Sequence, residues 1–197
     1  MGIVNEMESA THSHHHEMPT EGSALTRVSI DATLHCLTGC ALGEIAGMAL
    51  GSALGMSNGA IVALSIVLAF VFGYSLTSLP LLRAGLPVPR VARIAAASDT
   101  LSITTMEIVD NLVVLAVPGA LTAGLGTLLF WGSLSLSLPI AAAFAVPVNR
   151  WLIARGKGHA VVHETGIHGG PSPRLVGIVA ALMFAFGAAV LIAEVAS

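Results

Sequence analysis

The sequence predicts an all-α polytopic membrane protein: a bundle of five transmembrane helices with a cytoplasmic N-terminus and the C-terminus outside. Three observations predict it. Of 197 residues, 55% are hydrophobic and only 10% charged, where soluble domains carry about 25% charged residues. Mean hydropathy is +0.87, too apolar for a surface that faces water. Apolar stretches recur at roughly 28–54, 60–82, 95–117, 120–148 and 174–194. At about 1.5 Å per helical residue, each can cross a hydrocarbon core of about 30 Å. Helices are required because lipid offers the backbone no hydrogen-bond partners.

In chain order, residues 1–26 read as a mobile cytoplasmic tail carrying His12, His14, His15 and His16, with nothing to bury. Residues 27–197 read as one transmembrane domain. "GMSNG" at 55–59 makes a tight connection after the first stretch, and "LPLLRAGLPVPR" at 79–90 closes the second. "VPG" at 117–119 divides the third from the fourth. Pro139 should kink the fourth, and Pro147 lies near its end. A Gly-, Pro- and His-rich cytoplasmic connector at 150–174 leads to the last stretch.

The cations set the orientation. Arg27 precedes the first stretch. Arg83, Arg90 and Arg93 separate the second from the third, and Arg150, Arg155, Lys157 and Arg174 separate the fourth from the fifth. Five alternating crossings put all eight cations on one side, the positive-inside pattern. The net charge of −3 and the absence of a basic stripe exclude nucleic acid as the expected partner. The lipid bilayer is the first partner.

Within the first stretch Gly39, Gly43, Gly47, Gly51 and Gly55 recur every fourth residue. Such a ridge lets another backbone approach closely. Packing within the chain is the first use expected of it. Pairing of two copies into a homo-oligomer through Gly39, Gly43, Gly47 and Gly51 is the second.

Beside the ridge, Cys36, Cys40 and Glu44 follow the same four-residue step and form a polar stripe, extended by Met48. His35 lies off that stripe, with Asp31 four residues earlier as a hydrogen-bond partner. In the third stretch Glu107 and Asn111 share a face extended by Thr100 and Thr104, with Met106 and Asp110 on its flank. Cys40 lies about 20 Å of helix beyond Arg27, and Glu107 about 21 Å beyond Arg93. The two clusters should meet near mid-membrane.

A charge at that depth costs at least a few kcal/mol. Glu44, Glu107 and Asp110 must therefore be protonated, paired, hydrated or bound to a cation. The interiors of the five stretches hold no Lys or Arg to pair with them. A transition-metal ion is the expected counter-charge. Mixed Cys, Asp and Glu ligands suit zinc, and Cys with Met48 and Met56 would suit copper(I). The candidate metal ligands are Cys36, Cys40, Glu44, Glu107 and Asp110, with His35 and Asn111 beside them. On the cytoplasmic side His159, His163 and His168 form a candidate capture site. His159 and His163 share a face only if 157–164 is helical.

"LHCLTGCALGEIAG" at 34–47, "TMEIVDN" at 105–111 and "PVNRWLIARGKGHAVVH" at 147–163 resemble a family of small bacterial integral-membrane proteins known only as a domain of unknown function. The likeness covers roughly residues 30–195. It implies the bacterial cytoplasmic membrane and singles out His35, Cys36, Cys40, Glu44, Glu107, Asp110 and Asn111, without implying a substrate.

The expected function is binding and translocation of a zinc- or copper-like cation. The alternatives are a membrane redox or haem-binding protein using Cys36 and Cys40 or His35, and a structural subunit of a membrane complex. Against the first, a four-residue helical spacing is awkward for a disulfide, and no C-x-x-C-H motif occurs. No nucleophile–base pair sits in a recognisable enzyme motif.

Overall fold

The computed structural model describes residues 19–120, 123–167 and 171–196. His12, His14, His15, His16 and His168 lie outside the described residues. Among the described residues six helices follow in order: α1 (Gly22–Ala53), α2 (Asn58–Arg83), α3 (Val88–Ala116), α4 (Leu128–Ile153), α5 (Ala160–His163) and α6 (Pro173–Ala196). Among the described residues the chain is helices and turns, with no strand.

Four of these, α1, α2, α4 and α6, are long and apolar enough to cross a membrane. The expected five are thus met only in part. α3 has the length, but Arg90, Arg93, Asp99, Glu107 and Asp110 all fall within it and lower its hydropathy. Its start also differs from expectation. Pro87 leads into the helix and Pro89 sits in the first turn, where a missing N–H costs nothing.

The fourth stretch is the clearest boundary correction. Its helix begins at Leu128, not near 120. Thr127 caps it, its hydroxyl accepting from the Phe130 N–H at 3.3 Å. Apolar Ala and Leu before that point belong to the connection, where Gly119 adopts a φ of +80°. The helix then runs through both Pro139 and Pro147 to Ile153.

The glycine ridge of α1 is filled by α2. A Cβ at Gly39 would lie 2.5 Å from the Gly73 Cα. One at Gly43 would strike the Ala69 backbone, and one at Gly47 would meet Ser65. Gly55 lies past the helix end, in the left-handed region at φ +65°. The central core joins Cys36, Leu37 and Cys40 of α1 with Ala69 of α2, Ile103 and Met106 of α3, and Leu134 and Leu138 of α4. α6 packs outside, on α4, and Gly187 is its one buried residue.

The outer surface is apolar, as lipid demands: Val67, Val71, Ile108, Leu112, Phe144, Leu182 and Ile192 are exposed. Trp131 and Trp151 stand 20 residues apart on α4, about 30 Å of helix and close to one hydrocarbon thickness. The Trp131 indole donates to the Leu125 carbonyl at 2.8 Å. The Arg155 guanidinium lies 4.4 Å from the Trp151 ring centroid. Aromatic and basic residues at such levels mark membrane interfaces.

The bundle has one basic end. Arg150 of α4 donates to the Gly22 carbonyl and to the Thr26 hydroxyl of α1. Leu25, Ala32, Ile153 and Ala160 pack together there. Leu81, Val91, Ile94 and Val162 form a second cluster, bringing in the end of α2 and the start of α3.

Candidate functional site: a polar ladder ending in an acid-lined cavity

α1 and α3 face each other through polar side chains. α1 supplies Thr33, Cys36, Cys40 and Glu44, and α3 supplies Asp99, Ser102, Glu107 and Asp110, all buried. Three- and four-residue steps keep the α1 set on one helical face, and Asp99, Ser102, Met106 and Asp110 repeat them on α3 with Glu107 alongside. The ladder falls into two levels.

Toward the basic end lies a hydrogen-bonded group. The Asn149 amide of α4 donates to Thr33 Oγ1 at 2.8 Å and to Ser102 Oγ at 3.0 Å, tying three helices. The Cys36 thiol points at Asp99 Oδ1, 3.9 Å away. His159, at the start of α5, places Nδ1 3.4 Å from the same oxygen. His35 shares a hydrogen bond with Thr77 at 3.1 Å, where Asp31 was the expected partner. Its ring stands 5.0 Å from that of His159. The expected helix over 157–164 is reduced to the turn Ala160–His163, yet the His159 and His163 rings lie 5.9 Å apart.

Asn149 tests this level. Asn149→Ala removes two buried hydrogen bonds, each worth about 0.5–1.5 kcal/mol. The expected result is a loss of about 2 kcal/mol in detergent unfolding. Wild-type stability in that variant would show that the three-helix tie is idle.

At the opposite end lies a cavity of about 210 Å³. Glu44, Glu107, Asp110 and Asn111 line it, with Met48 and Ser133. Glu44 and Asp110 interact with one another, Asp110 also with Ser137, and the Cys40 thiol faces Glu107. Oε2 of Glu44, both oxygens of Glu107 and Oδ1 of Asp110 are buried without a hydrogen-bond partner. Asn111 donates to the Glu107 carbonyl at 2.8 Å. The cavity reaches the end of α1 at Ser52, the start of α2 at Asn58 and the α3–α4 connection at Ala120 and Ala123.

The structure thus brings Cys40, Glu44, Glu107, Asp110 and Asn111 to one level and places Cys36 and His35 at another. Among the described residues, no three His, Cys, Asp or Glu side chains surround a single point at ligand distance. Both cysteines are free and buried. The inward face of α3 also differs from expectation. Asp99, Ser102, Met106 and Asp110 point in, whereas Thr100 and Thr104 return their hydroxyls to the carbonyls of Ala96 and Thr100. Sequence reasoning missed Asp99, Ser102 and Asn149. The signal for Asp99 was its eight-residue step to Glu107, two turns along one face.

A family model described as a domain of unknown function, DUF4396, matches residues 27–158. The match stops at Gly158, short of the expected 195, so α5 and α6 fall outside it. No curated protein and no solved structure matches.

Proposed function

The chain belongs to the DUF4396 family of unknown function, and we propose that it is a membrane protein that binds a divalent transition-metal cation in its acid-lined cavity and passes it across the bilayer. One observation carries this reading. Glu44, Glu107 and Asp110 line one cavity, and four of their carboxylate oxygens are buried without a hydrogen-bond partner. A buried anion without a partner is costly, and no Lys or Arg lines that cavity. A mobile cation supplies the missing charge.

The donor set favours zinc over copper(I). Carboxylate oxygens and one nearby thiol, Cys40, suit a borderline ion. A soft ion would need paired sulfurs, and Cys36 turns instead to Asp99. Glu44, Glu107 and Asp110 are the proposed ligands, with Cys40 and Asn111 adjacent. Water completes the ion's shell, which accords with a site that holds its cargo loosely enough to release it.

In this reading α3 is the fifth crossing, its charged face turned onto α1 and α4 and away from lipid. The N-terminus and the connector before α6 lie in the cytoplasm of a bacterium. The gathering of Arg27, Arg83, Arg90, Arg93, Arg150, Arg155, Lys157 and Arg174 toward one end of the helices supports that orientation.

Element-resolved analysis of purified protein after exposure to zinc tests the proposal. Wild type and Cys36→Ser should retain zinc equally, and Cys40→Ser should retain less. Loss of zinc in Cys36→Ser alone, or none retained by wild type, would overturn it.

A further inference from the structure

A second, smaller cavity of about 40 Å³ lies toward the basic end. His35 of α1, Leu76 and Thr77 of α2 and His159 line it, and half-buried Ile167 carries its wall to the surface. The acid-lined cavity reaches the surface at the other end, at exposed Ser52 and Asn58. Along α1 the two linings are nine residues apart, from His35 to Glu44, or about 13 Å of helix. Along α2 they are ten apart, from Ile66 to Leu76, or about 15 Å. One layer fills that interval. Gly39 of α1 meets Gly73 of α2 backbone to backbone, and Ile103 of α3 covers Gly73, where an added Cβ would lie 2.5 Å from Ile103 Cδ1. Ile103, Met106 and Leu138 are fully buried in the same layer. Beside it Tyr74 and Thr100 share a hydrogen bond of 2.8 Å that ties α2 to α3.

We infer that the two cavities are the two ends of one cation route along the α1–α2–α3 seam, and that Ile103, seated on Gly73, is the plug between them. Ile103, Met106 and Leu138 offer an ion no oxygen in exchange for its water, and a closed apolar constriction bars it. The two contacts in the layer differ in kind. Gly39 and Gly73 meet through backbone atoms, which hold the helices at a fixed distance. Ile103 meets Gly73 through the end of a side chain, which a change of rotamer withdraws without moving a helix. Ile103 lies one turn from Glu107 on the basic-end side, so the acids face the far end alone while it is seated. A carrier that opens to one side at a time needs such a barrier beside its site. The inference deepens the cation reading and rests on it for the cargo.

Silver(I) added to one face of sealed vesicles in chloride-free buffer tests it, read as protection of an introduced cysteine from later alkylation. Met48→Cys places the thiol in the acid-lined cavity, and Ser172→Cys places one in the exposed connector at the basic end. The two should be protected from opposite faces, whichever way the chain is inserted. Adding Ile103→Ala should let silver reach the cysteine of Met48→Cys from the connector's face about 10-fold faster or more, since the constriction is then gone. Ile153→Ala, an equally buried truncation outside the layer, should not. Protection of both cysteines from one face, or of Met48→Cys from both faces with Ile103 in place, would overturn the route without any change in the core. So would an Ile103→Ala variant that keeps the wild-type pattern at both cysteines. Silver reads the route whether or not zinc is retained, so failure of the cation reading and failure of the plug are told apart.

Discussion

Gly43→Leu should lose most of the folded protein. Gly43 sits where α1 crosses α2 most closely, and an added Cβ would collide with the N and Cα of Ala69 and the carbonyl carbon of Leu68. All three are backbone atoms, so no rotamer change relieves the clash. The helices must separate, and α1 and α2 make the most extensive helix pair in the bundle. The expected cost is about 3 kcal/mol, the upper end for overpacking. Separation also displaces Glu44, the next residue, from Asp110. Zinc retention should fall together with stability. Gly59→Ala is the matched control: nothing lies within reach of a Cβ there, and replacing a helical glycine gains up to about 1 kcal/mol. Thermal unfolding in detergent followed by size exclusion reads both. A Gly43→Leu variant as stable as Gly59→Ala would mean that the ridge does not set the α1–α2 distance.

Glu107→Gln should leave the fold intact and remove the ion. The two side chains have nearly the same shape, and neither oxygen of Glu107 has a hydrogen-bond partner to lose. Taking a charge out of a buried, unpaired site does not destabilise it. The cation, in contrast, loses one of three anionic ligands. Altering groups that only support a metal's ligands costs about 10–100-fold in affinity, so loss of a ligand should cost about 100-fold or more. Zinc titration calorimetry of wild type and Glu107→Gln gives the ratio directly. Unfolding temperature should be equal or higher in the variant. Equal affinity with lowered stability would assign Glu107 a structural role and remove it from the site.

Much of the architecture was legible because lipid imposes simple rules. Apolar length located α1, α2 and α6 to within a few residues, except that α1 starts at Gly22, six residues before the expected 28. Apolar length failed at α4, where Ala120 and Ala123 are as apolar as a helix but lie in a connection. Only Thr127, a good N-cap after Gly124 and Gly126, marked the true start. The glycine step showed close backbone packing, and α2 is what fills it. The facing acids of α1 and α3 were legible through depth, counted from Arg27 and Arg93. Two features were not. Which neighbour takes Cys36 depends on rotation of α3 about its axis, and spacing alone does not separate an Asp99-centred face from a Thr100-centred one. The meeting of His159 with Asp99 and His35 needs the connector to fold back over the bundle, which no local pattern encodes.

X-ray absorption at the zinc edge of the loaded protein reads the atoms around the ion and so decides whether the acids of the cavity hold it. The expected shell is dominated by oxygen at about 2.0–2.2 Å, with at most one sulfur at about 2.3 Å. A shell with two sulfurs, or one built of imidazole nitrogens, would contradict it.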